Sequence, residues 1–76
     1  MPRAVCSICG VLQDKAAQAI IRHIKLVGNL ELADIRHDKK AVAQLRPLVE
    51  EARIGREQAV AEYRGHAGSH AKAADL

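Results

Sequence analysis

The chain is short of the residues that usually fix small folds. Its 76 residues include one Tyr, no Phe, no Trp, two Cys and two Pro. Two cysteines are too few for a disulfide-dense secreted scaffold, and no apolar signal segment follows the N-terminus. We therefore expect a protein of the reducing cytoplasm. The scarcity of aromatic side chains also argues against a surface that stacks on single-stranded nucleic acid.

Long hydrophobic runs and catalytic patterns are missing as well. No stretch approaches the roughly 20 apolar residues that a transmembrane helix needs. The sequence has no Gly-rich phosphate loop and no paired-carboxylate pattern, and a chain of 76 residues can barely enclose a substrate cavity. We expect no enzymatic activity, no small-molecule substrate and no membrane insertion.

Small aliphatic residues are abundant, and their spacing predicts two helices. In the first segment they recur at three- and four-residue steps, which is the period of an amphipathic helix. The pair Gly28 and Asn29 is a typical helix stop, so we place this helix at 12–27. Its apolar positions are Leu12, Ala16, Ala19, Ile20, Ile24 and Val27.

A longer second helix is predicted at 39–64, after a connector at 28–37. Asp38 is a good N-cap for it. One apolar seam runs through the segment in phase on both sides of Pro47, which predicts one helix, kinked at the proline, with Arg56 as the single polar interruption. The seam positions are Val42, Leu45, Val49, Ala52, Arg56, Ala59 and Tyr63.

These segments predict an all-α fold, an antiparallel helical hairpin with a zinc-knuckle-like turn at 5–11. Residues 1–65 form the single domain, and the Gly- and Ser-containing stretch 66–76 is expected to be a disordered tail. Because the second helix outruns the first, the far half of its seam is left uncovered. We expect that seam to be a protein interface, with a partner protein or with a second copy in a homodimer.

The stretch "CSICG" places Cys6 and Cys9 two residues apart, followed by a glycine that permits a tight turn. Two thiolates at this spacing bind one metal ion, so the pair predicts half of a zinc site. Three alternatives are open. The cysteines could be small buried apolar residues, a redox pair, or half of a site that two copies share.

A closed structural zinc site needs two further ligands. His23 faces inward on the first helix, and an extended connector can return His37 to the level of Cys9, which gives the frame C-x2-C-x13-H-x13-H. Asp34 is the alternative fourth ligand. His66 and His70 have a ligand-like spacing too, but they lie in the stretch expected to be disordered.

The segment from Cys6 to His23 resembles the two-cysteine two-histidine zinc fingers, with "CSIC" as the knuckle and "IIRH" as the ligand-bearing helix. The resemblance implies a structural zinc ion held by Cys6, Cys9 and His23. It ends one turn beyond His23, where the chain has Val27 and Gly28 and no second histidine. The aromatic core residue of that family is also missing, so we do not assign the chain to it.

A basic stripe without acidic residues follows the outer face of the first helix. Such a stripe can contact phosphates, and its longer side chains can reach base edges. The favoured function is a zinc-stabilised, non-enzymatic adaptor, regulator or inhibitor that docks its apolar seam on a protein partner or on itself. The alternative is a small zinc-finger-like, nucleic-acid-binding regulator that uses this basic face. The composition suits a small bacterial or phage protein. The stripe consists of Lys15, Gln18, Arg22 and Lys25, extended by Arg36, Lys39 and Lys40.

Overall fold

A computed structural model describes residues 6–74, which form two helices and no strand. Helix α1 is Ser7–Ile35 and helix α2 is Lys39–Ala74. The helices run antiparallel, because Gln13 near the start of α1 meets Tyr63 near the far end of α2. The all-α helical hairpin is therefore confirmed. Residue 5 of the predicted knuckle, residues 1–5 of the predicted domain and residues 75–76 of the predicted tail lie outside the described residues.

Helix α1 is almost twice as long as predicted. The predicted stop at Gly28 and Asn29 and the connector at 28–37 are wrong, because the helix passes through both residues and ends at Ile35. The apolar period continues beyond Gly28, with Leu30 half-buried and Ala33 buried. Packing of these positions against α2 outweighs the weak helix propensity of Gly28.

The turn between the helices is a Schellman motif. The amide of Asp38 donates to the carbonyl of Ala33 at 2.9 Å, and the amide of His37 donates to the carbonyl of Asp34 at 3.0 Å. His37 takes the left-handed conformation, with φ 57°. The Asp38 side chain then accepts the amide of Ala41 at 3.1 Å, which confirms the predicted N-cap of the second helix.

Helix α2 continues without a break from Lys39 through Pro47 to Ala74. The prediction of one helix across Pro47 is confirmed, and the predicted kink remains a prediction. The disordered tail at 66–76 is a wrong prediction over the residues described, because the helix covers 66–74. The glycines of this stretch lie within a helix and adopt no positive φ.

Two heptad-like seams face each other along the hairpin. The predicted seam of α2 is half-buried or buried at every position, and its fully buried members are Ala52 and Ala59. It packs against a matching seam of α1, because α1 is long enough to cover it. The uncovered far half that we expected is therefore absent, and these residues serve the intramolecular interface. The α1 seam is Cys9, Leu12, Ala16, Ala19, His23, Leu26, Leu30 and Ala33.

The polar members of the two seams pair with each other. Arg56, the interruption noted in the sequence, lies with Nη1 3.2 Å from Nδ1 of His23. Because arginine only donates, this contact fixes Nδ1 of His23 as the acceptor. All neighbouring seam positions are apolar. A shift of one helix along the other would therefore leave the side chains of His23 and Arg56 without a hydrogen-bond partner. The pair thus helps to specify the antiparallel register.

The buried positions are small. Ala16, Ala33, Ala52 and Ala59 are the buried apolar residues among those described, and no large side chain is fully buried. Alanine lets the helices approach closely but removes little apolar surface from water. Neither helix has a stretch long and apolar enough to cross a membrane, over the residues described.

The left-handed residue at the turn yields a stability prediction. Substituting His37→Gly should raise the free energy of unfolding by about 1 kcal/mol, because glycine adopts positive φ without the steric cost that a Cβ incurs. Thermal denaturation followed by circular dichroism measures it. His37→Ala is the matched control, since it removes the imidazole and keeps the Cβ. Equal melting temperatures for the two variants would contradict the turn geometry.

Candidate metal centre

Four side chains from the two ends of the chain converge at the open end of the hairpin. Their potential ligand atoms, two sulfurs and two ring nitrogens, all lie within 4.8 Å of one another. They belong to Cys6, Cys9, His66 and His70. Cys6 and His66 are 60 residues apart in sequence. The cluster thus joins the first turn of α1 to the last part of α2.

The two cysteines occupy the first turn of α1. Cys6 is the N-cap residue, with extended backbone, and its carbonyl accepts the amide of Gly10 at 3.3 Å. Cys9 lies one turn further on, so both sulfurs fall on the same side of the helix. The predicted pair of nearby thiols is confirmed, but its backbone is a helix start rather than a separate knuckle.

The two histidines lie one turn apart on α2, at positions i and i+4, and both present Nε2 to the cluster. The Nε2 atoms of His66 and His70 are 3.0 Å apart, and the His66 Nε2 is 3.3 Å from the Cys6 sulfur. Tetrahedral zinc with N and S ligands places neighbouring ligand atoms about 3.3 to 3.8 Å apart, as its bond lengths require. The cluster therefore needs only small adjustments to hold an ion.

The surroundings of the cluster lower the pKa of one thiol. The pKa of Cys6 falls to about 6, mainly through its hydrogen bond with His66 and then through the backbone amide of Cys9. Partial desolvation raises the pKa of Cys9, and the neighbouring Cys6 raises it further. Cys6 is thus poised as a thiolate near neutral pH, the form that binds metals.

The structure does not bring His23 and His37 to the cysteines. His23 lies 14 residues after Cys9 on the same continuous helix, about 21 Å along the axis, and contacts Arg56. His37 lies in the turn at the opposite end of the hairpin, and Asp34 lies beside that turn. Because α1 does not end at Gly28, no connector folds back. The predicted frame of Cys6, Cys9, His23 and His37 is therefore corrected to one that contains His66 and His70.

A signal for the correct histidines was present in the sequence. The α2 seam steps by three and four residues up to Tyr63, and two further steps of three and four reach His66 and His70. The glycines and the serine around these histidines favoured a disordered tail, so the continuation of the seam was not recognised. The helix period was the better guide, because a seam facing α1 leads directly to the cysteines.

The predicted basic stripe is partly neutralised by α2. Lys15 Nζ lies 3.2 Å from a carboxylate oxygen of Glu62, and Arg22 lies 3.9 Å from Glu51. Both pairs are well exposed, so each contributes little to stability. They nevertheless place acidic groups beside the stripe, which weakens its attraction for phosphates. Nucleic-acid binding by the stripe remains a prediction.

The unequal thiols give a second prediction. In metal-free protein at pH 7, iodoacetamide should alkylate Cys6 about tenfold faster than Cys9, because Cys6 is the thiolate. Its rate should fall as the pH drops below about 6, the pKa of Cys6. Peptide mass spectrometry measures both rates. In guanidinium chloride the difference should vanish, and equal rates in folded protein would contradict the hydrogen bond to His66.

Comparisons with family models, curated proteins and solved structures find no match to this chain. The geometry of the described residues alone therefore carries the functional argument. Two features stand out in it: the Cys and His cluster at the open end, and the exposed apolar residues of α1.

Proposed function

We propose that this chain is a non-enzymatic, zinc-stabilised helical hairpin that acts by docking on a protein through the outer face of α1. The observation that carries the docking role is an exposed apolar surface on the side of α1 away from α2. Its large side chains are 48% to 72% exposed. We call this surface the outer face; it consists of Ala17, Ile21, Ile24, Gly28, Leu32 and Ile35.

The ligand set favours zinc in a structural role. Two thiolates and two imidazoles are a common donor set of structural zinc sites. Four protein ligands complete the tetrahedron and leave no position for a substrate or a reactive water. The exposure of His70 gives the ion a route of entry. This chemistry supports a structural metal site rather than a catalytic centre. We call the site the staple, because it ties the two ends of the hairpin together.

The staple compensates for the thin helix interface. An ion bound by Cys6 and His66 closes a loop of 60 residues, and the entropy of that loop is removed from the unfolded chain. Zinc binding to small domains is worth about 10 to 16 kcal/mol in favourable cases, much of it expressed as folding free energy. With both ends tied, α1 presents its outer face as a rigid surface.

The outer face is a better docking surface than the seam that the sequence suggested. Seam residues such as Ala52 and Ala59 are buried between the helices, whereas Ile24 is 59% and Ile35 is 72% exposed. Exposed apolar side chains are normal when scattered singly, but a contiguous row marks an interaction site. Burial of this row by a partner would supply the hydrophobic contribution that the hairpin core lacks.

Zinc content tests the staple. The purified chain should carry one zinc ion per chain by elemental analysis. Cys9→Ser and His70→Ala should each lose most of the metal and unfold at a lower temperature, because three ligands hold the ion less tightly. His23→Ala and His37→Ala are matched controls that should keep one zinc ion. A folded, zinc-free wild type, or retention of zinc by His70→Ala together with its loss in His23→Ala, would contradict the site.

Aspartate substitutions test the docking role. In an extract of the native cells, cross-linking should join the tagged chain to protein, whether a different protein or an untagged copy. Ile24→Asp with Ile35→Asp should reduce that yield at least tenfold, because a charge on the outer face opposes burial. Ile54→Asp, on the exposed side of α2, is the control. Equal yields for all three chains would remove the outer face from the function.

A further inference from the structure

The hairpin exposes more surface than a compact monomer of its mass. Its accessible area is 5920 Å², whereas about 4,500 Å² is expected for a folded monomer of 8.2 kDa. The excess of about 1,400 Å² is larger than the area that one partner buries in an ordinary protein interface, about 800 Å². The chain therefore has surface to bury in one specific association.

The outer face is arranged symmetrically about Gly28. Ile24 and Leu32 each lie four residues from it, and Ile21 and Ile35 each lie seven residues from it. All four are exposed, at 59%, 48%, 56% and 72% in that order. Steps of four and seven residues return to the same side of a helix, so the four side chains flank Gly28 in two matched pairs.

A two-fold axis at Gly28 would place the apolar side chains of one copy opposite those of the other. If a second α1 crosses the first in the antiparallel direction, Ile21 lies level with the partner's Ile35 and Ile24 lies level with the partner's Leu32. Isologous interfaces of this kind use the same patch on both subunits. At the crossing point Gly28 meets its own copy, where the lack of side chains permits close approach of the backbones.

Helix α2 offers no comparable surface over the residues whose side chains the structure describes. Arg53 on its exposed side pairs with Glu50 and Glu57, so charged groups occupy that side. Leu48 and Ile54 are 39% and 43% exposed, but they are six residues apart in sequence and do not share one helix face. A second copy would therefore bury more apolar surface on α1.

We infer that the occupant of the outer face is a second copy of this chain, packed antiparallel on α1 with its two-fold axis at Gly28. This inference rests on the proposed docking role of the outer face and names the partner. In the dimer the two α1 helices lie in the middle and the two α2 helices lie outside. The zinc sites remain separate, one in each chain.

Sedimentation equilibrium of the zinc-loaded full chain tests the assembly. The mass should be twice 8.2 kDa at tens of micromolar. Ile24→Asp with Ile35→Asp should weaken the dimer at least 100-fold and give the monomer mass, while Ile54→Asp should leave the dimer intact. Circular dichroism and one zinc ion per chain verify that each variant is folded. A monomeric wild type, or a dimer unaffected by the double substitution, overturns the inference.

The substitution Gly28→Leu distinguishes a specific helix crossing from nonspecific hydrophobic association. Leucine has a higher helix propensity than glycine, and no side chain of the described residues lies within 4 Å of an added Cβ, so the chain should fold at least as well. It should weaken the dimer at least tenfold, because it separates the helices at their crossing point. An unchanged or tighter dimer would contradict a two-fold axis at this position.

Cysteine cross-linking fixes the geometry while zinc protects the native thiols. Mild oxidation should join Gly28→Cys chains into a disulfide dimer, since identical residues on the axis face each other. Ile21→Cys chains should not join alone, because the two positions would lie about 21 Å apart along the helix. A mixture of Ile21→Cys and Ile35→Cys should join.

Efficient joining of Ile21→Cys chains alone would overturn the antiparallel arrangement. The outcomes also distinguish this inference from the function on which it rests. A monomer that binds one zinc ion and is cross-linked through its outer face to a different protein would contradict the homodimer and support the docking role. A dimer that forms without zinc in the fully folded wild type would support the homodimer and contradict the structural zinc site.

Discussion

Close packing of small residues along the two seams is the constraint on which the rest of the structure depends. Ala16 and Ala33 on α1 and Ala52 and Ala59 on α2 are the buried apolar residues among those described. Side chains of this size let the two helices approach closely at these four positions. The close approach brings His23 to Arg56, a pair that helps to specify the register, and carries the ends of both helices to the same place.

The same constraint explains why the fold needs further stabilisation. The fully buried positions are alanines, which remove little apolar area from water, and no large side chain is fully buried in the described hairpin. Two additions fit this deficit without changing the seam. In the proposed function, a metal at the open end ties the helix termini together, and a partner on the outer face covers the isoleucines that α2 leaves exposed.

The sequence alone was sufficient to predict the helical hairpin and the two cysteines of the metal cluster, but not its two histidines. Helical periodicity and the Asp38 cap were sufficient for the hairpin, because both are local signals. The end of α1 was missed since Gly28 and Asn29 stop an isolated helix, while here the contacts of Leu30 and Ala33 with α2 keep them helical. That single error produced the connector and with it His37 as a ligand. His66 and His70 were passed over because glycine-rich composition was given more weight than continuation of the α2 seam.

We propose that two cysteines and two histidines of one chain hold one zinc ion across the open end of the hairpin. X-ray absorption at the zinc edge tests it most directly, because sulfur and nitrogen ligands differ in distance and in scattering. We expect two sulfur ligands at about 2.3 Å and two imidazole nitrogens at about 2.0 Å. Four sulfur ligands would show instead that two chains share the ion through Cys6 and Cys9, and a shell of nitrogen and oxygen alone would show that the cysteines do not bind it.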